Sequence, residues 1–369
     1  MLEEYRMPNS NSNDDMNVVT KEKILLIRML SIGDVACIGL PALRFFKLKF
    51  PDAEIHFLTF DQGADIIRLA EPDVVVTSLA AEQWPNELLP AMEAFLGLAE
   101  NIVGEAYDQI VNLDTAFMPC FLARFLKDAG QKISGNLLNV SVEQLLNQFQ
   151  DQSLQPEFVH NIDKYMDSTF FSMARWHTQW WESTYLPDNG YPEYYLRNCC
   201  SFKGIEMNWR ISVDQDQQLN TKRQSQKVIA LCLARSDDGY PYPFANELKV
   251  ALETLGFCVW SDLEQSFSVE VLLSKLSSSD LLVTKASSSQ WFAATVDCPT
   301  LLICAGAEPK TLMPDYGTEQ CTYCPIHAPI ALLEATSMSF NKKCNCDKAE
   351  DLAESIDSIF QQMDPKSDE

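Results

Sequence analysis

The chain has 369 residues, enough for two domains of ordinary size, and 46% of its residues are hydrophobic. Its formal charge of −24 repels phosphates, which excludes nucleic acid and anionic lipid as general partners. No apolar run approaches the ~18–20 residues that a membrane-spanning helix needs. The first twenty residues lack the basic start and apolar run of a secretory signal, so we expect a cytoplasmic protein without a transmembrane segment.

Strands and helices alternate in the first part of the chain, after a polar tail over 1–20. Short continuous apolar runs are typical of parallel strands buried on both faces. The predicted strands are 23–29, 54–60, 74–79 and 109–113, and the predicted helices are 41–49, 87–99 and 116–128. A loop is expected over 31–39. This order predicts a parallel sheet with right-handed crossovers.

The middle of the chain, 136–226, is rich in Gln, Asn and aromatic residues. We expect mostly helices there, lining an interdomain region, with plain aromatic packing as the alternative. The alternation then restarts. The predicted strands are 227–233, 257–261, 280–284 and 300–304, and the predicted helices are 243–255, 267–278, 289–296 and an amphipathic 348–363.

These patterns predict an α/β fold of two Rossmann-like, doubly wound domains facing a cleft. Residues 21–226 would form the N-terminal domain, 227–347 the C-terminal domain, and 348–369 a final helix and tail. Ligands of such sheets bind beyond the carboxyl ends of the strands. No GxGxxG motif follows the first strand, which disfavours a dinucleotide oxidoreductase.

The segment 23–59 carries the most specific pattern in the chain. It combines a buried strand, an S-x-G-D loop, an L-P-A-L helix start and an F-P-D-A-x-I second strand. This arrangement resembles the opening of the glycosyltransferase family 9 heptosyltransferases. The resemblance implies a GT-B fold, an N-terminal acceptor domain, a C-terminal domain for a nucleotide-sugar donor, and inverting transfer of a heptose or related sugar to a protein or glycan hydroxyl.

Asp34 matches the aspartate of the family's loop, which the resemblance implies to be the catalytic base. Inverting transfer needs a carboxylate that takes the proton of the attacking hydroxyl. Gly33 would let the backbone turn sharply beside it. The alternative is that Asp34 only caps the following helix.

The segment 280–306 resembles the family's donor segment, a strand followed by a small-residue turn and a short helix. The family's Asp-Thr-Gly-Pro-x-His motif is replaced here by Ala286, Ser287, Ser288, Ser289, Gln290 and Trp291. This turn is closer to the bacterial autotransporter heptosyltransferase branch. Amides and hydroxyls at the helix start would meet the donor diphosphate, and Lys285 would add a cation. Helix capping by the serines without a ligand is the alternative.

The family generally places a lysine before a Trp-Pro pair after the first strand of the second domain. This chain has Arg235 there, followed by Asp237 and Asp238. A guanidinium can bind a diphosphate through two nitrogens, so Arg235 is the candidate substitute for the lysine. An ion pair of Arg235 with one of the two aspartates is the other interpretation.

Twelve cysteines are present, and eight of them are scattered, as is typical of small buried side chains. The other four form two pairs, Cys321–Cys324 and Cys344–Cys346, separated by nineteen residues. Two such pairs can complete a tetrahedral thiolate site for zinc or iron. A C-terminal cysteine cluster with bound iron is also a property of the autotransporter branch. His327 is an alternative ligand, and reduced free thiols are the alternative to a metal site.

The sequence leaves three functions open. The first is an inverting glycosyltransferase, and the second is a binding or regulatory protein whose donor site has decayed, as the missing lysine and missing donor motif suggest. A nucleotide-sugar epimerase of GT-B form is third, because the S-x-G-D opening favours transfer. The identity of the sugar, the acceptor and the formation of a homo-oligomer are not fixed by the sequence.

Overall fold

The computed structural model describes residues 21–29, 32–80, 88–161, 164–166, 189–234, 242–263, 265–285, 287–303, 330–333, 337–338, 344–345 and 349–363. Within this part of the chain, two five-stranded parallel sheets follow one another in sequence. The α/β class predicted from the sequence is confirmed. The predicted domain boundaries remain predictions.

The first sheet has the strand order β3-β2-β1-β4-β5. Its strands are β1 (Lys23–Ile27), β2 (Glu54–Phe60), β3 (Val75–Leu79), β4 (Gln109–Asn112) and β5 (Ile133–Gly135). Successive residues of β1 point to opposite faces of the sheet. Ile24 and Leu26 belong to one buried apolar cluster, and Leu25 and Ile27 to another. Both faces are therefore covered, as the continuous apolar run predicts.

Helices connect and flank these strands. A continuous helical run, α1, consists of Ile32–Asp34, a π-helical Val35–Gly39 and Leu40–Lys49. The next helices are α2 (Asp61–Ala70), α3 (Leu88–Gly104), α4 (Phe117–Asp128), α5 (Val142–Gln150) and α6 (Pro156–His160). A second helical run, α7, joins Gly190–Tyr194 to a π-helical Tyr195–Cys199, and α8 (Gln217–Arg223) precedes the second sheet.

The second sheet has the order β10-β9-β8-β6-β7. Its strands are β6 (Val228–Cys232), β7 (Cys258–Ser261), β8 (Leu281–Lys285), β9 (Thr300–Ile303) and β10 (Ile330–Leu333). The helices are α9 (Ala245–Thr254), α10 (Val269–Ser277), α11 (Ser288–Thr295) and the C-terminal α12 (Ala349–Met363), and a short antiparallel pair joins β11 (Ser337–Met338) to β12 (Cys344–Asn345). One apolar cluster contains buried residues of both sheets, including Leu26 and Leu282.

The loop predicted over 31–39 is wrong, because helix α1 begins at Ile32. Val35, Ala36 and Ile38 are fully buried, and burying an apolar stretch requires regular backbone hydrogen bonding, which the helix provides. Gly39 lies inside this helical run, where a side chain would be crowded. A Cβ at this position would come within 3.0 Å of Phe57 Cζ.

The predicted set lacks helix α2 and strand β5 in the first half, and strands β10, β11 and β12 in the second. The first two are hard to detect, since α2 begins directly at the end of β2 and β5 has only three residues. The scattered cysteines are predicted better. Among the described ones, five are buried: Cys37, Cys120, Cys232, Cys258 and Cys298.

Candidate functional site

Asp34 lies in the first turn of α1, directly beyond the carboxyl end of β1. Its side chain is 23% exposed, and its Oδ2 accepts a hydrogen bond from Nη2 of Arg28. The carboxylate makes no side-chain hydrogen bond to the start of the π-helical segment that follows it. The helix-cap interpretation of Asp34 is therefore wrong: the side chain points to a buried cation, not to the backbone of its own helix.

Arg28, the partner of Asp34, is the first residue after β1, and its side chain is only 2% exposed. Nη1 lies 3.2 Å from Oδ1 of Asp114 and also donates to the carbonyl oxygen of Leu113 at 3.2 Å. Burial lowers the pKa of Arg28, but the charges of Asp34 and Asp114 outweigh it, so the pKa is raised above its usual value. One guanidinium thus joins two carboxylates in a buried network.

Asp114 is held rigidly just beyond the end of β4. Its side chain is 1% exposed, and Oδ2 accepts a hydrogen bond of 2.5 Å from the amide of Met29. The amide of Asp114 donates in turn to Asn112 Oδ1 at 3.0 Å. Strands β1 and β4 are neighbours although β2 and β3 lie between them in sequence. This is the point where the strand order reverses, and ligands of open α/β sheets bind there.

Two further side chains, Tyr195 and Cys37, pack against the network of Arg28, Asp34 and Asp114. The ring of Tyr195 lies 5.8 Å from Cζ of Arg28, measured to the ring centroid, and its hydroxyl donates to the Leu113 carbonyl. Cys37 is 1% exposed, and its Sγ lies 3.9 Å from Oδ1 of Asp34. Burial and the neighbouring Asp34 charge raise the pKa of the Cys37 thiol, so the thiol stays protonated at neutral pH.

The second half of the chain approaches Asp34 through helix α11. A Cβ on Gly33 would lie 3.0 Å from Ser288 Cα and 3.1 Å from Trp291 Cδ1. Glycine is thus needed for close approach and not, as expected, for a sharp turn, because Gly33 lies inside helix α1. The contact brings the start of α11 next to Asp34, as the two-domain cleft prediction requires.

The serine turn at the start of α11 combines a buried helix cap with two half-buried serines. The backbone of Ser289 donates to Ser287 Oγ at 3.3 Å, so Ser287 is a helix cap, as the alternative interpretation expected. Ser288 and Ser289 are half-buried. Gln290 is 4% exposed, and its Oε1 has no hydrogen-bond partner among the described residues. Lys285 ends β8 and is 1% exposed, so it is enclosed rather than free in solvent.

Strands β6 and β8 form the reversal point of the second sheet. Thr284 Oγ1 donates to the carbonyl of Cys232 at 2.7 Å, which ties the two strand ends together. Asp262, beyond β7, accepts from the amides of Leu233 and Ala234 at 3.1 and 3.2 Å. Arg235 and Ala286 follow these strand ends but lie outside the described residues, so the placement of Arg235 stays a prediction.

The sequence reasoning missed Arg28 and Asp114 as site residues. The signal for Arg28 was a charged residue at the end of an otherwise apolar strand run. For Asp114 it was an aspartate at the end of the fourth predicted strand. Neither signal indicates that the two side chains meet, because that depends on strand order.

The metal cluster expected at the C-terminal cysteines stays a prediction. Cys321, Cys324, Cys346 and the alternative ligand His327 lie outside the described residues, and only the backbone of Cys344 is described, in β12. The described residues contain no group of three or more His, Cys, Asp or Glu side chains arranged to hold a metal. Likewise, no helix within the described ranges is long and apolar enough to cross a membrane.

Two doubly wound sheets, joined where helix α1 of one meets α11 of the other, define a GT-B-like fold. No protein-family model and no curated protein matches the sequence. Solved structures do match. A glycosyl transferase of family 9 from Veillonella parvula is 12% identical, with a TM-score of 0.59, over 92% of this chain and 98% of that one.

Two E. coli structures are similar to nearly the same extent. The heptosyltransferase WaaC with ADP is 12% identical, with a TM-score of 0.54, over 91% of this chain and 99% of that chain. The ADP-heptose lps heptosyltransferase II is 11% identical, with a TM-score of 0.54, over 93% and 99%. At this identity the similarity establishes the fold, and the GT-B expectation is confirmed.

Proposed function

We propose that this chain is an inverting glycosyltransferase that moves a heptose-like sugar from a nucleotide-diphosphate sugar to a hydroxyl of a protein or glycan acceptor. One observation carries the proposal. Asp34 is a partly exposed carboxylate at the strand-order reversal of one sheet, and Gly33 beside it touches the helix that begins at the other sheet's reversal point.

In the proposed reaction Asp34 takes the proton of the acceptor hydroxyl. The freed electron pair of the acceptor oxygen forms a bond to the anomeric carbon, and the bond from that carbon to the donor diphosphate breaks. The diphosphate leaves with the bonding electrons, and the configuration at carbon is inverted. A positioned general base typically contributes about 10²–10⁴-fold to such a step.

The donor diphosphate is assigned to the start of α11. Backbone amides at a helix N-terminus favour anions, and Ser287, Ser288 and Ser289 add hydroxyls. Lys285 and Arg235 supply the cations in this proposal, against the net charge of −24. Gln290 presents a buried amide oxygen without a partner among the described residues, which suits a donor hydroxyl. Trp291 would cover the sugar or base.

The fold neighbours support this assignment. Three solved structures with the same fold are glycosyltransferases by name, and one of them was solved with ADP.

A second candidate, a non-catalytic binding protein with a degenerate donor site, is favoured by the replaced donor motif and by the capping role of Ser287. A third proposal, independent of both, is a structural zinc or iron site formed by Cys321, Cys324, Cys344 and Cys346.

Donor binding is tested first by thermal shift with ADP-heptose, UDP-glucose and GDP-mannose, because a ligand of the folded state raises the apparent stability. Ser287→Ala should weaken the binding of the donor that is found. Ser268 caps α10 in the same way, with its side chain accepting from Val271 N at 3.4 Å. Ser268→Ala is therefore the matched control and should lower stability without changing donor affinity. Equal donor affinity in both variants would contradict the donor assignment.

Catalysis is tested with Asp34→Asn, which keeps the shape of the side chain. ADP release from ADP-heptose is followed first with water and then with sugar and peptide hydroxyls as acceptors. We expect the rate of ADP release to fall about 10²–10⁴-fold, while the donor affinity and the melting temperature stay unchanged. An Asp34→Asn protein that turns over at the wild-type rate refutes the base role. Donor binding without turnover in the wild type favours the non-catalytic candidate.

A further inference from the structure

Arg28 stands between Asp34 and Asp114 and contacts both. One nitrogen, Nη2, donates to Asp34 Oδ2, and the other, Nη1, lies 3.2 Å from Asp114 Oδ1. We propose that Arg28 and Asp114 form a positioning pair that fixes the orientation of Asp34. This inference rests on the proposed function, since it assigns a role toward the same reaction.

The first argument is geometric. Asp34 lies on a partly exposed first turn, where a short carboxylate side chain has several accessible rotamers. The fork of Arg28 binds Oδ2 and turns Oδ1 toward Cys37, whose Sγ is 3.9 Å away. A thiol at this distance is a weak donor, so Oδ1 retains the capacity to accept a further proton. The acceptor hydroxyl is thereby directed to one oxygen of Asp34.

Arg28 itself is held in place from three sides. The Leu113 carbonyl accepts from Nη1, Asp114 binds the same nitrogen, and the Tyr195 ring lies against the guanidinium. Asp114 is fixed in turn by the amide of Met29. A lysine has a single ammonium group and lacks the planar fork, so it cannot serve both carboxylates in this geometry.

The second argument is charge balance. Arg28 is 2% exposed, and a buried charge without a partner is costly. Asp114 gives Arg28 a second, buried carboxylate partner, so the guanidinium remains paired and in place when Asp34 takes up the proton of the acceptor hydroxyl.

Other titratable groups face Asp34 as well. On its own helical run there is Cys37, and from α7 there are Tyr191 and Tyr195, whose pKa values are raised by burial and which stay neutral. The facing helix α11 has the sequence SSQWFAAT and carries no titratable side chain. Among the described residues, the charged groups of this network are therefore Arg28, Asp34 and Asp114.

The experiment uses ADP release from ADP-heptose and compares two pairs of variants. Arg28→Lys is matched with Arg197→Lys, since Arg197 also joins a carboxylate, Glu193 at 3.0 Å, to a backbone carbonyl. Asp114→Asn is matched with Asp280→Asn. Asp280 likewise binds a backbone amide at 2.8 Å and an arginine at 2.9 Å, but at the opposite end of its sheet.

We expect Arg28→Lys to lower kcat about 10–10²-fold with an unchanged KM for the donor, because a small misplacement of a reacting group has costs of this size. Asp114→Asn should also lower kcat with an unchanged KM for the donor, because Arg28 then loses the carboxylate that holds it in place. Arg197→Lys and Asp280→Asn should keep the wild-type kcat. In an Asp34→Asn background, Arg28→Lys should cause no further loss, because residues that act as a unit are not additive.

A wild-type kcat in a folded Arg28→Lys protein overturns the inference, as does an equal kcat loss with and without Asp34. If Arg28→Lys does not fold, Asp114→Asn decides, and a wild-type kcat in that variant overturns the inference. These results differ from failure of the proposed function. A wild type that binds none of the donors and releases no nucleoside diphosphate removes the proposed function, and an active Asp34→Asn protein removes the base role of Asp34; this inference fails with either result. An inactive Asp34→Asn beside normal Arg28 and Asp114 variants removes only the positioning pair.

Discussion

Gly33→Ala tests the contact that brings the two halves of the candidate site together. The added methyl would lie 3.0 Å from Ser288 Cα and 3.1 Å from Trp291 Cδ1. Ordinary contact begins near 3.4 Å, so helix α11 must withdraw by about 0.4 Å, which is 3.4 minus 3.0. Overpacking of this kind costs about 1–3 kcal/mol. Replacing glycine by alanine in a helix returns about 0.5–1 kcal/mol, which leaves a net loss of about 1 kcal/mol in the free energy of unfolding.

Gly97→Ala is the matched control for this prediction. Gly97 lies inside α3 with nothing within 4 Å of an added Cβ, so this variant should gain about 0.5–1 kcal/mol. Urea unfolding followed by tryptophan fluorescence suits the assay, since Trp209 and Trp291 pack edge to face, 6.3 Å apart, at this contact. Gly33→Ala should also weaken donor binding. If it instead stabilises the chain as much as Gly97→Ala does, the close approach of α1 and α11 is refuted.

Three other predictions concern stability. Gly135 has φ +86° and would place a Cβ against a backbone carbonyl of β4, whereas Gly130 has φ +87° and open space around it. Urea unfolding should therefore show a loss of about 1 kcal/mol for Gly130→Ala and clearly more for Gly135→Ala, and equal losses would contradict this. Burial raises the pKa of Cys298 to about 12, so its contribution to stability is present below the unfolded thiol pKa of about 8.5 and should be lost as pH rises toward 12. The decline, about 1.4 kcal/mol per pH unit, should be smaller in Cys298→Ala. Elemental analysis should find roughly one zinc or iron per chain, and changing both Cys321 and Cys324 to Ser should remove the metal and lower the melting temperature.

The sequence was sufficient for the fold class because buried parallel strands leave continuous apolar runs. It also predicted that Asp34 lies just beyond the carboxyl end of the first strand, since that residue follows such an apolar run. Its surroundings required the structure. Arg28 and Asp114 are far apart in the chain and meet only because β4 pairs with β1, as Ile27 opposite Asn112 shows. Strand order is not encoded in the alternation of elements.

The glycines show a second limit of sequence reasoning. Gly33 was expected to make a sharp turn in a loop over 31–39, because glycine often has that role. Gly33 and Gly39 both lie inside a helical run, where a Cβ would come within 3.0 Å of a neighbouring atom. This requirement comes from other parts of the chain, Phe57 for one and Ser288 for the other, and no local pattern reveals it.

The network around Arg28 also bears on how such a chain can change over evolutionary time. If Asp34 were replaced by Asn, Arg28 would still be neutralised by Asp114, and the interior would hold a balanced ion pair. Once Asp34 is gone, loss of Asp114 or Arg28 instead leaves an unpaired buried charge, at a cost of about 3–5 kcal/mol. If the proposed function holds, a lineage that abandons catalysis should thus lose Asp34 first and keep the other two residues. Descendants that retain Arg28 and Asp114 without Asp34 would then be inactive copies with an intact fold.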